Sequence, residues 1–154
     1  MKCELFFVGK TSDKYLIEGV EIYSKRLSHY LPMSIVIVPP SSLLDPKKVV
    51  DEEGKNMLAR IKPRDFIVLL DETGVLHTSP ELAQKMQKWM LEGYSKLVFV
   101  CGGAYGLSPD LKKRANYILS ASRFTFTHQM IRLILVEQLY RAMTIIRNES
   151  YHHG

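Results

Sequence analysis

The stretch from Lys96 to Asp110 reads KLVFVCGGAYGLSPD and decides the fold class. Residues 97–101 are apolar throughout, which is typical of a buried strand in a parallel sheet. Gly102-Gly103 ends that strand. Ser108-Pro109 is favoured at the cap and first position of a helix, so a helix is predicted to follow and to run to Ala115. A buried strand, a glycine turn and a helix in this order indicate an α/β protein.

A second short strand and loop follow. Tyr117–Leu119 is a short apolar run, and residues 120–127 after it are mainly small or hydroxyl-bearing. Ligands of open α/β sheets bind just past the carboxyl ends of the strands. The glycine turn and this loop are therefore the predicted position of a cofactor, although both also suit plain turns. The GGxxG pattern is not the GxGxxG fingerprint of dinucleotide binding.

The rest of the chain alternates strands and helices, which predicts a mostly parallel sheet flanked by helices in a single domain over residues 1–154. The further predicted strands are Cys3–Val8, Met33–Val38 and Phe66–Leu70, the last followed by a polar turn over Asp71–Gly74. The further predicted helices are 14–27, Val49–Ile61, one from Thr78-Ser79 to about Leu91, and one from about His128 to Arg147.

Composition narrows the class of protein. The formal net charge is +5, which weakly favours a polyanionic partner. Cys3 and Cys101 lie in apolar runs and are predicted to be buried free thiols. No apolar run approaches the length of a membrane span, and the first run is too short for a signal peptide. A cytoplasmic protein is therefore predicted.

The last predicted helix is apolar nearly all round, which indicates a buried helix. One way to bury such a helix in a small domain is against a second copy, so a homodimer is predicted. The polar exceptions in this helix are Arg132, Glu137, Gln138 and Arg141, and Glu137 and Arg141 are expected to pair.

A set of stretches along essentially the whole chain carries a family resemblance. They are VGK (8–10), EIYSKRL (21–27), EGKNML (53–58), LD (70–71), FVCGGAYGL (99–107), LSASRFTFTH (119–128), RLILVEQLYRA (132–142) and YH (151–152). In these the chain resembles the RlmH family of 23S rRNA pseudouridine N3-methyltransferases, small SPOUT methyltransferases. Thr127 stands where this family usually has Pro, and His153 where its members often have Arg or Lys.

The resemblance implies a SPOUT-type trefoil-knotted α/β fold, with S-adenosylmethionine as the cofactor. It also implies a homodimer that acts on 23S rRNA in the assembled ribosome. No metal is expected, because the sequence has no C-x-x-C spacing, and no membrane is expected, because no apolar run is long enough to span one. Backbone groups of the second loop could read an adenine edge, and Leu70, Leu119 and Phe124 could form its apolar slot. By position, the implied cofactor-binding residues are Leu70, Gly102, Gly103, Ala121, Ser122, Arg123, Phe124, Thr125 and Phe126.

Methylation of the pseudouridine N3 requires loss of an imide proton, so a base or a stabilising cation is expected. The candidates are His128, Arg132, Tyr151 and His152. His128 could instead orient the last helix, and the tail could be frayed. A hypothesis is that the tail Tyr151–His153 closes over the site. Predicted RNA contacts are Arg123, Arg132, Arg141, Tyr151, His152 and His153, with Lys10, Lys14, Lys25 and Arg26 as further phosphate contacts.

Two other functions remain open at the level of the sequence. One is a catalytically inactive ribosome- or RNA-binding module of the same fold. The other is a small α/β enzyme that binds a phosphorylated metabolite at Gly102-Gly103. Binding of S-adenosylmethionine would separate the methyltransferase from both.

Overall fold

The computed structural model describes all of residues 1–154 and contains one sheet with helices on both faces. The strands are β1 (Lys2–Val8), β2 (Met33–Val38), β3 (Asp65–Leu76), β4 (Lys96–Cys101) and β5 (Tyr117–Ser120). The helices are α1 (Lys14–Ser28), α2 (Pro46–Leu58), α3 (Ser79–Leu91), α4 (Pro109–Arg114) and α5 (Met130–Ile146). The strand order is β2-β1-β4-β3-β5, and every neighbouring pair is parallel. The predicted α/β fold with a parallel sheet is confirmed.

The central strand, β4, joins two apolar cores. Successive side chains of a strand point to opposite faces. Leu97, Phe99 and Cys101 accordingly lie in the core under α1, α3 and α5, whereas Val98 and Val100 lie in the core under α2. These five side chains are at most 1% exposed. This packing on both faces fixes the position of the carboxyl end of β4 and of the glycines after it.

Helix α5 packs between α1 and α3, and none of its residues is fully exposed. Close approach to α1 depends on Gly19, because a Cβ there would lie 2.9 Å from Cδ1 of Leu133. The chain itself therefore buries much of the apolar surface of α5. No helix in the structure has both the length and the apolar character needed to cross a membrane.

Two predicted segments have wrong boundaries. Helix α2 begins at Pro46 rather than Val49 and ends at Leu58, because Asp45 and Pro46 already suit the cap and first helical position. The predicted turn over Asp71–Gly74 belongs to β3, which shifts register against β5 between Leu70 and Val75 and continues to Leu76. An irregularity of this kind lets a strand carry polar residues without ending.

Both cysteines are buried and free, as predicted. Burial raises the pKa of the Cys3 and Cys101 thiols to about 12. With this pKa, only about one thiol in 10,000 is ionised at pH 8. Because the thiolate is the reactive form, both thiols should react very slowly. We expect the folded protein to leave both thiols unreacted with a colorimetric disulfide reagent, and the denatured protein to titrate both. Rapid reaction of the native protein at pH 8 would contradict this prediction.

Candidate active site

A cleft of about 290 Å³ lies past the carboxyl end of β4, beside the register shift in β3. This is the edge at which parallel α/β sheets bind ligands. Its walls come from residues 70–72 of β3, the loop after β4, the loop after β5 and the start of α5. The lining residues are Leu70, Asp71, Glu72, Cys101, Gly102, Gly103, Ala104, Gly106, Leu107, Ala121, Ser122, Phe124, Thr125, Phe126, His128 and Ile131.

The loop after β4 folds tightly onto its own backbone. The amide of Gly106 donates to the carbonyl of Gly103 at 3.1 Å, and Gly106 has a φ of +89°. A Cβ on Gly102 would lie 2.8 Å from the carbonyl oxygen of Gly106. A Cβ on Gly103 would instead meet Oε1 of the Glu53 side chain at 2.9 Å. Glycine at 102 is therefore required by backbone packing at the cleft wall.

The loop after β5 is tied to the end of β3. The Thr125 hydroxyl donates to the Glu72 carboxylate at 2.8 Å, and the Arg123 guanidinium donates to the Glu72 carbonyl at 3.2 Å. The amides of Ala121, Thr125 and Phe126 donate to no other group of the chain. These three residues line the cleft, so their backbone groups are available to a ligand.

The cleft carries negative charge. Burial raises the pKa of the Asp71 carboxyl group, but hydrogen bonds from the Thr73 hydroxyl and amide and the nearby Lys112 ammonium outweigh it. The resulting pKa lies below the ordinary value, so Asp71 is ionised at neutral pH. The Glu72 carboxylate also lines the cleft. These two residues favour a cationic ligand, and the sequence interpretation missed both because it assigned them to a turn.

His128 is the only predicted catalytic residue that lines the cleft. The hydrogen bonds that hold the amino end of α5 are made by Thr127 and Gln129, the two residues beside His128. The Thr127 hydroxyl accepts from the Met130 amide at 3.0 Å. The Gln129 side chain accepts from the Ser12 amide at 3.0 Å and donates to the Lys10 carbonyl at 3.3 Å. Thr127 and Gln129 thus hold this end of α5, and the imidazole of His128 is not needed to orient the last helix.

Arg132 does not lie on the surface, and its predicted RNA contact is wrong. The side chain is fully buried and donates to the carbonyls of Val8 and Gly9 and to the Thr11 hydroxyl. Its guanidinium also lies 4.9 Å from the centre of the Phe7 ring. Arg132 therefore fastens α5 to the end of β1 and is not available to RNA or substrate.

The tail folds back onto α5. Arg141 donates to the Glu137 carboxylate at 2.6 and 3.0 Å, as the predicted pairing requires, and to Nδ1 of His152 at 3.2 Å. The Tyr151 hydroxyl donates to the same carboxylate at 3.0 Å, and its ring lies 4.6 Å from the Arg141 guanidinium. A guanidinium has no acceptor, so Nδ1 of His152 accepts and the proton of the neutral ring resides on Nε2.

The docked tail lies away from the cleft of its own chain. Ile131 lines the cleft, and Arg141 holds the tail ten residues later on the same helix. At 1.5 Å per residue this separation is about 15 Å along α5. The hypothesis that the tail closes over the cleft therefore does not hold within one chain in this arrangement. His153 is exposed and makes no hydrogen bond or ion pair within the chain.

A parallel sheet with a ligand cleft past its central strands defines a cofactor-binding α/β protein. The acidic residues of the cleft set it apart from a phosphate site. No three His, Cys, Asp or Glu side chains are grouped as metal ligands. The chain belongs to the SPOUT methyltransferase family: the family model described as "Predicted SPOUT methyltransferase" matches residues 1–152. Family membership implies a methyl donor.

Similar proteins extend over the full length of the chain. The proteins named ribosomal RNA large subunit methyltransferase H of Porphyromonas gingivalis, Natranaerobius thermophilus and Cytophaga hutchinsonii are 46%, 45% and 45% identical to it. Each match covers 99% of this chain and 99–100% of the relative. The predicted family resemblance is confirmed.

Proposed function

We propose that this chain is an S-adenosylmethionine-dependent methyltransferase of large-subunit rRNA. Its target is N3 of a pseudouridine in the 23S rRNA of the assembled ribosome, which places its work in the cytoplasm. The observation that carries the proposal is the cleft of about 290 Å³, whose walls are the two loops at which the resemblance locates the cofactor. Full-length similarity to relatives named as rRNA methyltransferases supports the substrate class.

The cleft fits S-adenosylmethionine in its donor groups and charge. Free amides at Ala121, Thr125 and Phe126 can bind the adenine edge and the carboxylate of the methionine portion. Leu70 supplies an apolar wall, and the bare backbone at Gly102 allows close approach. When bound, the cofactor supplies an electrophilic methyl group on a positively charged sulfur. The ionised Asp71 carboxylate offsets that charge.

The residues of the chain orient the nucleophile toward the methyl group and accept the N3 proton. His128 is the cleft side chain that can accept the N3 proton at an imidazole nitrogen, or stabilise the resulting anion once protonated. Alignment of the nucleophile with the methyl group is the main task in a direct displacement. The apolar side chains of Leu107, Phe126 and Ile131 line the same cleft and reduce the access of water.

The two competing functions are less well supported. A site for a phosphorylated metabolite would place phosphate beside the Asp71 and Glu72 carboxylates, which repel it. An inactive RNA-binding module would have no need for a cleft with free amides and a glycine wall. Both competitors predict that S-adenosylmethionine does not bind.

Calorimetric titration with S-adenosylmethionine and S-adenosylhomocysteine tests the proposal first. We expect micromolar binding at one site per chain, with inorganic phosphate as a non-competing control. Incorporation of labelled methyl into ribosomes that lack the modification would then identify the substrate. A folded protein that binds neither compound, or that binds phosphate in competition with them, would contradict the proposal.

We further propose a homodimer in which the tail of one copy serves the cleft of the other. Exposed Tyr15 and Ile22 on α1, with half-buried Ile134 and Ile145 on α5, offer apolar surface for such an interface. The tail is too far along α5 to serve the cleft of its own chain. In the second copy, Nε2–H of His152 would act as a donor to the target base, and the Tyr151 hydroxyl oxygen, whose proton is held by Glu137, would act as an acceptor.

Removal of residues 150–154 is expected to lower methyl transfer at least tenfold while cofactor affinity stays unchanged, because the tail is proposed to contact the target base and not the cofactor. Complementation tests the exchange between copies: dimers mixed from the tail-deleted chain and a His128→Ala chain should regain activity. Each variant alone is the control. A monomer in solution, or mixed dimers as inactive as both parents, would contradict the shared site.

A further inference from the structure

Phe124 lies at the cleft with its ring unpacked. Its side chain lines the cleft yet is 80% exposed. Burial of a Phe side chain is worth roughly 1.5–3 kcal/mol, so an exposed ring forgoes a large stabilisation. Phe6, Phe7 and Phe99, in contrast, are fully buried in the two cores. Packing of the chain therefore does not explain the position of this ring.

The backbone around Phe124 is held in place although the ring is not. The Phe124 amide donates to the Ser122 hydroxyl at 3.0 Å, and the Ser120 hydroxyl donates to the Ser122 carbonyl at 2.9 Å. On either side, Arg123 and Thr125 are tied to Glu72. The loop thus presents the ring at a fixed place, which lowers the entropic cost of binding to it.

A second exposed aromatic ring belongs to the other loop of the cleft. Tyr105 is 58% exposed, and both of its chain neighbours, Ala104 and Gly106, line the cleft. The two loops that form the cleft therefore each carry one aromatic ring open to solvent. The sequence interpretation gave Tyr105 no role and assigned Phe124 to the adenine slot.

Cations without an ion pair lie on segments that adjoin the cleft. Arg123 precedes Phe124, Lys113 is on α4 beside Lys112, which pairs with Asp71 of the cleft, and the Lys10 carbonyl is bound by Gln129 at the start of α5. Lys10, Lys113 and Arg123 take part in no ion pair. Exposed rings among free cations are the combination that binds single-stranded nucleic acid, with bases on the rings and phosphates on the cations.

We propose that Phe124 and Tyr105 are stacking residues for unpaired RNA nucleobases at the mouth of the cleft. The identity of the RNA rests on the proposed function, but the stacking itself concerns these two rings. A duplex keeps its base faces covered, so the rings select RNA whose bases are unstacked. The target nucleotide would accordingly lie in a loop or be extruded from a helix.

Fluorescence of Phe124→Trp tests the contact directly. The only native tryptophan, Trp89, is 4% exposed, so the added emission reports on position 124. We expect quenching by a ten-nucleotide oligouridylate at low salt, with little quenching by a duplex RNA of equal charge. Equal quenching by both RNAs, or none by the single strand, would overturn the proposal.

A matched variant series separates stacking from the other roles of this loop. Phe124→Leu keeps an apolar side chain without the ring and should bind oligouridylate about fivefold to 100-fold more weakly, whereas Phe124→Tyr should bind as the wild type does. Tyr105→Leu should weaken binding in the same direction. Leu91→Ala, at an equally exposed residue on α3, is the control expected to have no effect.

Cofactor affinity distinguishes failure of this inference from failure of the proposed function. Tyr105→Leu, whose side chain does not line the cleft, should bind S-adenosylmethionine as the wild type does, and Phe124→Leu should lose more RNA affinity than cofactor affinity. A loss of cofactor affinity with unchanged RNA affinity would return the ring to the adenine slot and overturn the stacking role. If the wild type bound no cofactor, the proposed methyltransferase would fail, and the quenching experiment would still decide whether the rings stack on RNA.

Discussion

Arg132→Ala is expected to lower the free energy of unfolding by about 4 kcal/mol, the largest stability loss that we predict for one side chain. The substitution removes donors from the carbonyls of Val8 and Gly9, which are left without their partner inside the protein. It also leaves an empty volume beside the Phe7 ring. The loss should appear as a fall of roughly 8–16 °C in the melting temperature of a chain of this length.

A graded series makes this prediction specific. Arg132→Lys keeps the charge but cannot span the same acceptors, so about half of the loss is expected. Arg123→Ala removes an exposed guanidinium and should change the stability by at most about 0.5 kcal/mol. Denaturant unfolding followed by circular dichroism measures all three. If Arg132→Ala were as stable as Arg123→Ala, the anchoring role of the buried side chain would be wrong.

Arg132 also illustrates what the sequence could not reveal. Its position among apolar residues predicted a buried helix correctly, but the arginine itself was interpreted as an RNA contact. An arginine in such a helix can face solvent or can donate to backbone carbonyls. Here the carbonyls are those of Val8 and Gly9 at the end of β1, more than 120 residues away in the sequence. Periodicity within the helix carries no information about that distant partner.

Elements with strong local signals were predicted well. The bounds of β2 are those predicted, and the capping box of Thr78 and Glu81 marks the start of α3. The turn predicted at Asp71–Gly74 failed because β5 pairs with the far end of β3 and keeps a polar segment in the sheet. Pairing between distant segments overrode local composition there.

The walls of the candidate site were largely predictable, because ligand clefts of parallel sheets lie past the ends of particular strands. All the residues predicted to bind cofactor, except Arg123 and the adenine-slot residue Leu119, line the cleft. The acidic side chains of Asp71 and Glu72 were missed because the predicted strand ended at Leu70, whereas β3 continues to Leu76. The position of the tail was also missed, since the contacts of Tyr151 and His152 with α5 depend on how the last turn of the chain folds back.

Gly102→Ala is expected to weaken binding of S-adenosylmethionine about tenfold to 100-fold, the largest loss from adding a single methyl group to the cleft. The new Cβ would lie 2.8 Å from the Gly106 carbonyl oxygen and 3.1 Å from Cδ2 of Leu107. Backbone cannot rotate away as a side-chain end can, so the loop itself must shift. Overpacking of this kind typically costs 1–3 kcal/mol of stability. A loop that shifts to relieve this strain must return to the binding geometry at a similar cost, and 1.4 kcal/mol corresponds to a tenfold change in affinity.

The neighbouring glycines supply matched controls. A Cβ on Gly103 would meet the carboxylate end of Glu53, which can move, so Gly103→Ala should cost less affinity than Gly102→Ala. Gly106→Ala has open space around its Cβ, and only its φ of +89° opposes the substitution. Calorimetry of the three variants, with melting temperatures measured alongside, separates cofactor binding from stability. If all three variants lost the same affinity, general destabilisation of the loop would be the cause. Backbone contact at Gly102 requires that Gly102→Ala be the weakest binder while the protein remains folded.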